Sequence, residues 1–599
     1  MISHDHCPMH NDCSMPFAPD TSVPLLQVSG LRIAFSQGGA VTEAVQDVSF
    51  HLQKGETLGI VGESGSGKSV TALSIMQLLS KKNILIPSGE IVFDGTNLDS
   101  LSEERMRIYR GKRIAMIFQE PMTSLNPVMR CGKQVAEAIL THSSVDKEEA
   151  KQKTLSQFRK VLLPNPEAAY HAYPHELSGG QKQRVMIAMA IANKPDLLIA
   201  DEPTTALDVT VQKEILLLLK SLQQETGMAM IFISHDLGVI DEIADKVVVM
   251  HRGIIVEQGT VDEILNHPQH PYTRGLLACR PPVGRRLKRL PVVREFLDNQ
   301  WPGGMAEMLS RLSLPADERN HRLQTLYQGD VLLKVENLKI SFAATKSLLR
   351  AHRNLIKAVD GVSFELFSGE TLGLVGESGC GKTTLGRSLL RLIAPESGNI
   401  EYENKQIINL SQKQLRQFRQ RVQMVFQDPY SSLNPRMAIG EAILEPMTVH
   451  GLYGRAAQRR DKVMELLERV GLEAAHYRCY PHEFSGGQRQ RACIARALAV
   501  NPGLVICDEP VSALDVSVQA QVLNLLNELK KDNGFTMIFI SHDLSVVRYM
   551  SDRVMVMNKG KIEECGEADA LFSNPQSAYT KKLVQSIPGI KRLGLLNQA

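Results

Sequence analysis

The apolar positions of this chain fall in short runs whose period changes at definite places. "LLQVSGLRIAF" and the following "AVQDVSF" read as short β-type stretches. In "TLGIVGESGSGKSVTALSIMQLLS" a short apolar run gives way, at a glycine-rich loop, to apolar residues at helical spacing, which predicts strand, loop and helix in succession. Residues from about 120 to 190 carry a mostly helical pattern. After them "DLLIADEP" and "AMIFISHD" read as buried parallel strands, and "DKVVVMHRGIIVEQG" as a hairpin turning at Gly253. This order predicts an α/β fold with a parallel-sheet core, an inserted helical subdomain and an antiparallel β flank.

The whole pattern then occurs a second time. Ser178 in "LSGGQ" matches Ser485 in "FSGGQ", Glu202 in "IADEP" matches Glu509 in "ICDEP", and His235 matches His542 in "ISHD", each pair offset by 307 residues. The offset is 314 at Lys68 and Lys382, because the second copy carries extra residues around "KSLLRAHRNLIK", and 308 at Gln119 and Gln427. A period this long means duplicated whole domains, since solenoid repeats run to roughly 20–50 residues. Expected boundaries are a disordered tail over 1–24, one domain over 25–279, a linker over 280–330, a second domain over 331–585 and a tail over 586–599.

Composition narrows the class without naming it. With 43% hydrophobic and 22% charged residues and a net charge of +3 over 599 residues, the chain has the balance of an ordinary globular protein, and nothing marks a dedicated nucleic-acid binder. Its apolar runs are far shorter than the ~20 residues needed to cross a bilayer, so any membrane path must belong to another chain. The start lacks the basic and apolar regions of a secretory signal, which predicts a cytoplasmic protein whose nine cysteines are free thiols. The proline-rich, basic "RPPVGRRLKRLPVV" reads as a linker on the surface, with Arg285, Arg286, Lys288 and Arg289 on a solvated face.

The chemistry concentrates in three motifs present in both copies. A G-x-x-x-x-G-K-[ST] loop between strand and helix surrounds phosphate oxygens with backbone N–H groups, while its lysine neutralises phosphate charge and its hydroxyl ligates Mg²⁺. The residues are Gly62, Gly65, Gly67, Lys68 and Ser69, and again Gly376, Gly379, Gly381, Lys382 and Thr383. In "LLIADE" and "LVICDE" an apolar strand delivers adjacent carboxylates at its C-terminal end, where α/β sheets place ligands. There Asp201 and Asp508 are expected to hold Mg²⁺ through water, and Glu202 and Glu509 to polarise the attacking water. Ser-Gly-Gly ahead of "QKQRVMIAMAIA" and "QRQRACIARALA" opens a further helix N-terminus suited to anions.

Taken together these motifs resemble the ATP-binding cassette (ABC) superfamily over residues 25–280 and 331–585. The resemblance implies two tandem P-loop ATPase domains, each with a RecA-like parallel-sheet core, an antiparallel β flank and an inserted helical subdomain. It also implies head-to-tail pairing, with each ATP lying between the phosphate loop of one copy and the signature of the other. Site one would combine Lys68, Gln119, Asp201, Glu202 and His235 with Ser485, Gly487 and Gln488. Site two would combine Lys382, Gln427, Asp508, Glu509 and His542 with Ser178, Gly180 and Gln181. Gln119 and Gln427 would sense Mg²⁺ and the permease, His235 and His542 would contact the γ-phosphate, Asp208 and Asp515 would cross the dimer, and Phe35 and Phe342 would stack on adenine. Since neither copy lacks its glutamate, histidine or signature serine, both sites are expected to hydrolyse ATP.

Within the superfamily, "FQEPMTSLNP" and "FQDPYSSLNP", "YPHELSGGQ" and "YPHEFSGGQ", and "HPQHPYTRGLL" with its echo "NPQSAYTKKLV" resemble the ATPases of oligopeptide, dipeptide, nickel and glutathione importers. That branch implies two transmembrane permease subunits, an extracytoplasmic solute-binding protein and a peripheral position on the cytoplasmic face of the inner membrane. Peptides, glutathione included, lead as cargo, with nickel or a metal–chelate as the alternative. A tandem cassette acting on ribosomes is the rival of another class; the "SLNP" and "HPYT" elements and the absence of a long basic helical hairpin disfavour it. A single cysteine, Cys279, near the first C-terminal extension predicts no iron–sulfur cluster there. His4, His6, Cys7, His10 and Cys13 in the N-terminal tail have the side chains of soft-metal ligands.

Overall fold

A computed structural model describes residues 23–37, 40–79, 84–120, 124–205, 207–282, 284–343 and 355–587. The His/Cys tail, most of the extra residues around "KSLLRAHRNLIK" and nearly all of the C-terminal tail lie outside the described residues.

Each copy stacks two sheets. In the first, a four-stranded antiparallel sheet takes the order Ala40–Leu52, Leu26–Gln37, Ile84–Phe93, Thr96–Asn97. A six-stranded sheet takes the order Ile254–Thr260, Lys246–His251, Thr57–Val61, Ala229–Ser234, Leu197–Asp201, Ile114–Ile117. Its pairings are parallel except for the hairpin at the edge. The second copy repeats both orders. Every residue of Thr57–Val61, Leu197–Asp201 and Ala229–Ser234 is buried, which is why these strands are continuous in apolar residues rather than alternating. The hairpin turns at Arg252 and Gly253, both at positive φ (48° and 85°), as a two-residue turn matched to strand twist requires.

Four helices, Cys131–His142, Lys147–Lys160, Pro166–His171 and Gly179–Ile191, form the insertion. Lys147–Lys160 shows how sequence sets the ends: Asp146 caps it at the Glu149 amide (2.8 Å), Glu148 and Glu149 sit in its first turn, and Arg159 and Lys160 in its last, complementing the helix dipole. An apolar cluster joins the helical insertions of both copies, while separate clusters fill the space between each β flank and its six-stranded sheet. Among the described residues no helix is long and apolar enough to cross a membrane.

The 280–330 connector departs from a segment lying on the surface. It carries helices Val293–Leu297, Gly304–Leu312 and Ala316–Tyr327. Trp301 is buried, with its indole N–H donating to Glu295 (2.9 Å). Arg285 and Lys288 stay exposed, but Arg286 donates to the carbonyls of Tyr549 and Ser551, and Arg322 holds both oxygens of Asp552 at 3.1 Å. Leu290 and Asn524 exchange two hydrogen bonds (2.8 and 2.7 Å). Carbonyls of the second copy supply the partners that let Arg286 leave water, while Arg322 pairs with Asp552 at an exposed position.

Candidate functional site

The phosphate loops sit where sheet meets helix. Gly67 and Gly381, at φ 99° and 111°, precede helices Lys68–Ile75 and Lys382–Leu389. A Cβ on Gly67 would come within 2.6 Å of the Ala44 carbonyl, so both backbone angle and space demand glycine. Lys68 turns back to donate to the Gly62 and Glu63 carbonyls (2.7 and 2.9 Å), and Lys382 does the same to Gly376 and Glu377 (2.7 and 3.0 Å). Burial lowers the Lys68 pKa against the charges of Glu202, Asp515 and Asp201. The ammonium is thus held over the loop by carbonyls that a phosphate can replace.

Beside it, the Ser69 hydroxyl donates to Asp201 (3.1 Å) and the Thr383 hydroxyl to Asp508 (3.0 Å). Burial raises Asp201 to about 6, and raises Asp508 as well. Asp508 keeps one buried carboxylate oxygen without a hydrogen-bond partner among the described residues. Two oxygen donors, hydroxyl and carboxylate, with spare acceptor capacity fit a hard divalent cation such as Mg²⁺.

The next residue in each copy, Glu202 or Glu509, adopts positive φ (46° and 47°), a conformation non-glycine residues rarely hold unless their surroundings enforce it. Those surroundings are polar and specific. Glu202 accepts from Gln119 (3.1 Å) and Thr205 (2.9 Å) and meets His235 Nδ1 at 3.2 Å. Glu509 accepts from Gln427 (2.9 Å) and meets His542 Nδ1 at 3.1 Å. Burial works to raise Glu202, but the His235 hydrogen bond and charge, with Thr205 and Lys68, outweigh it and bring it down to about 2. Glu509 is lowered by the same balance. Burial lowers the two histidines less than their glutamates raise them, so both end above the usual imidazole value. Both glutamates are therefore ionised at neutral pH and aimed by three side chains or two.

The copies touch across these sites. Ser64 N–H in the first phosphate loop donates to Asp515 of the second copy (2.9 Å), and Ser517 donates to the Glu63 carboxylate. His235 and His542 both line a cavity of about 110 Å³ between the copies. Of the other expected partners, Ser178 and Ser485 cap their own helices, accepting from Gln181 and Gln488 (3.3 Å each). Gly180 and Gly487 lie in those same helices, against Val211 and Val518. Asp208 caps Val211 (3.1 Å), and its charge also bears on Tyr579 of the second copy. Phe35 packs on the β-flank core, and Phe342 is 45% exposed. Thr205, Glu63 and Ser517 were not singled out by sequence; the hydroxyl a few residues after "DEP" was the one available signal, and Ser512, its counterpart, donates to the Glu509 carbonyl (3.2 Å) rather than to its carboxylate.

A family model described as "ABC transporter" matches residues 45–205 and 359–512, and one described as "Oligopeptide/dipeptide transporter, C-terminal region" matches 256–297 and 564–597. The chain is similar to the glutathione import ATP-binding protein GsiA of Escherichia coli (strain K12), 49% identical over 570 residues that cover 94% of this chain and 89% of that protein. It is 48% identical, over the same shares, to the protein of that name from Pectobacterium atrosepticum.

Proposed function

We propose, from the premise that this chain belongs to the ABC transporter family, that it is the ATP-hydrolysing subunit of a peptide-type importer and that its cargo is glutathione or a short peptide. The observation that carries the reading is the presence of two complete sets, each with lysine, hydroxyl–aspartate pair and glutamate–histidine pair, tied across the copies by Asp515 and Ser64. Residues 25–279 and 331–585 are the two nucleotide-binding domains.

ATP enters against the loop amides, and Lys68 or Lys382 exchanges loop carbonyls for phosphate oxygens. Ser69, Asp201 and Gln119, and Thr383, Asp508 and Gln427, would hold Mg²⁺, which supplies charge neutralisation at the phosphates. Glu202 and Glu509 take the proton of the attacking water, held in place by their glutamine and histidine neighbours. Ser485, Gly487 and Gln488 complete site one and Ser178, Gly180 and Gln181 site two when the halves close, and Phe35 and Phe342 face the adenines. Closure drives two permease subunits, which hold this chain on the cytoplasmic face of the inner membrane and take cargo from an extracytoplasmic binding protein.

The test is gentle purification of the tagged chain from detergent-solubilised membranes of its host, followed by identification of its partners. Two multi-span permease subunits, and ATPase activity that rises with a glutathione- or peptide-loaded binding protein, are expected. Ribosomal proteins with no permease would overturn the importer reading.

A further inference from the structure

The "HPYT" stretch at 270–273 and its counterpart "SAYT" at 577–580 lie far from the phosphate loops in sequence and touch them in space. The Glu257 carboxylate accepts from the amides of Gln269 and His270 (2.7 and 3.1 Å), and Glu564 accepts from Gln576 and Ser577 (2.9 and 3.0 Å). His270 and Ser577 then cap the amides of Tyr272 and Tyr579 (3.1 and 3.2 Å), opening helices Pro271–Ala278 and Ala578–Gln585. The Tyr272 ring is fully buried, 4.1 Å from the His251 ring between centroids. Its hydroxyl accepts from the Glu63 amide at 3.1 Å, and the Tyr579 hydroxyl accepts from the Glu377 amide at 3.1 Å.

Glu63 and Glu377 are the residues whose carbonyls hold Lys68 and Lys382. Each tyrosine thus grips, at the amide, the residue that grips the lysine at the carbonyl. Both copies make this contact with the same atoms at the same distance. We propose that Tyr272 and Tyr579 are positioning residues of the two ATP sites: the C-terminal extension fixes the first residues of each phosphate loop and through them the lysine that meets the phosphates. This rests on the assignment of the two loops as ATP sites. The contact serves bound ATP and the transition state alike, so its loss weakens nucleotide binding without slowing the chemical step.

The experiment uses the purified full-length chain, with Tyr272→Phe and Tyr579→Phe combined, because phenylalanine keeps the ring and removes the hydroxyl. Steady-state ATPase, equilibrium binding of a fluorescent MANT-ATP and nucleotide-free thermal unfolding are measured together. The expected result is a roughly fivefold rise in KM and in the MANT-ATP Kd, what one ordinary hydrogen bond is worth, with kcat and the melting temperature near the parent's. Unchanged KM and Kd, or a fall in kcat at unchanged KM, overturns the inference. Lys68→Ala with Lys382→Ala separates the two readings. If that variant still binds MANT-ATP like the parent, the loop assignment itself fails; if it does not bind while the phenylalanine variant binds normally, only the tyrosine inference fails. Should the double variant not accumulate, Tyr579→Phe alone, at the less buried tyrosine, carries the test through a weakened second class of MANT-ATP sites, and an unaltered isotherm overturns it.

Discussion

Replacing Glu202 or Glu509 by glutamine tests whether the two sites work as one machine. Glutamine keeps the size of the side chain, and either residue must hold the positive φ of 46° or 47°, so the exchange removes the charge and leaves the geometry. Gln119, Thr205 and His235 all converge on one Glu202 oxygen, and the remaining amide oxygen of a glutamine can still accept from them. What is lost is a base that is ionised at neutral pH, with a pKa of about 2 in Glu202. General-base catalysis is worth about 10²–10⁴ in rate, so each altered site should fall to about 1% or less of its own turnover. Independent sites would then leave about half the total in a single variant. The Ser64–Asp515 bond argues against independence, because Asp515 leads the helix that follows Glu509 while gripping the loop of the other site. Each single variant should therefore fall well below half, to a few per cent of parent activity at saturating ATP, with MANT-ATP binding retained. Phosphate release measured on both single variants decides it. Near-full activity in either would make that site regulatory, and about half in both would refute coupling.

The glutamate–histidine pairs also set a pH dependence. Lowered glutamates stabilise the fold above the free carboxyl value of 4.5, and raised histidines stabilise it below the free imidazole value of 6.5. The contribution is full between those values, fades as the histidines deprotonate at higher pH, and fades in acid as Glu202 approaches about 2. His235→Gln with His542→Gln should therefore lower the nucleotide-free melting temperature most near pH 6 and progressively less toward pH 9; a pH-independent difference would refute the pairing. Trp301→Ala should cost about 3–5 kcal/mol, as truncation of a buried tryptophan does, and lower the melting temperature by several degrees. Because Trp301 is the only tryptophan, its emission in the parent should shift in the same thermal transition as the far-ultraviolet circular dichroism, and an earlier emission change would show a connector that melts independently.

The elements and motifs legible in the sequence were those whose reason is local. Gly67 is required by its own backbone angle and the neighbouring carbonyl, and the strand ahead of Asp201 announces its burial in every residue. Contacts between residues far apart in sequence were not legible. Arg286 looks like surface charge until the carbonyls of Tyr549 and Ser551, more than two hundred residues on, are brought against it. Prolines and arginines hid the apolar positions Leu287, Leu290 and Trp301 that bury the connector. Tyr272 was visible as part of a family-like stretch, but its hydroxyl finds Glu63 across 209 residues, and no local pattern encodes that meeting.

The two copies also differ where their sequences agree, and the difference can be tested. Asp208 and Asp515 occupy the same position ahead of equivalent helices, Val209–Thr226 and Val516–Asn533. Asp208 caps its own helix at Val211, whereas Asp515 leaves its helix uncapped and takes the Ser64 amide. Two residues on, Ser517 donates to Glu63, while the hydroxyl of Thr210, at the matching place, is buried with no partner among the described residues. A buried orphan hydroxyl costs about 1–3 kcal/mol, which favours a second arrangement in which Thr210 reaches Glu377 as Ser517 reaches Glu63. One half of a symmetric device is engaged here and the other is not. Asp208→Ala should then cost about 1 kcal/mol of stability through loss of the cap. Asp515→Ala should leave the melting temperature near the parent's and weaken ATP binding at the site whose loop it grips. Thermal unfolding and MANT-ATP titration of both variants side by side make the comparison; equal effects on both readouts would mean that the two aspartates do the same work, and that the asymmetry has no part in the protein's behaviour.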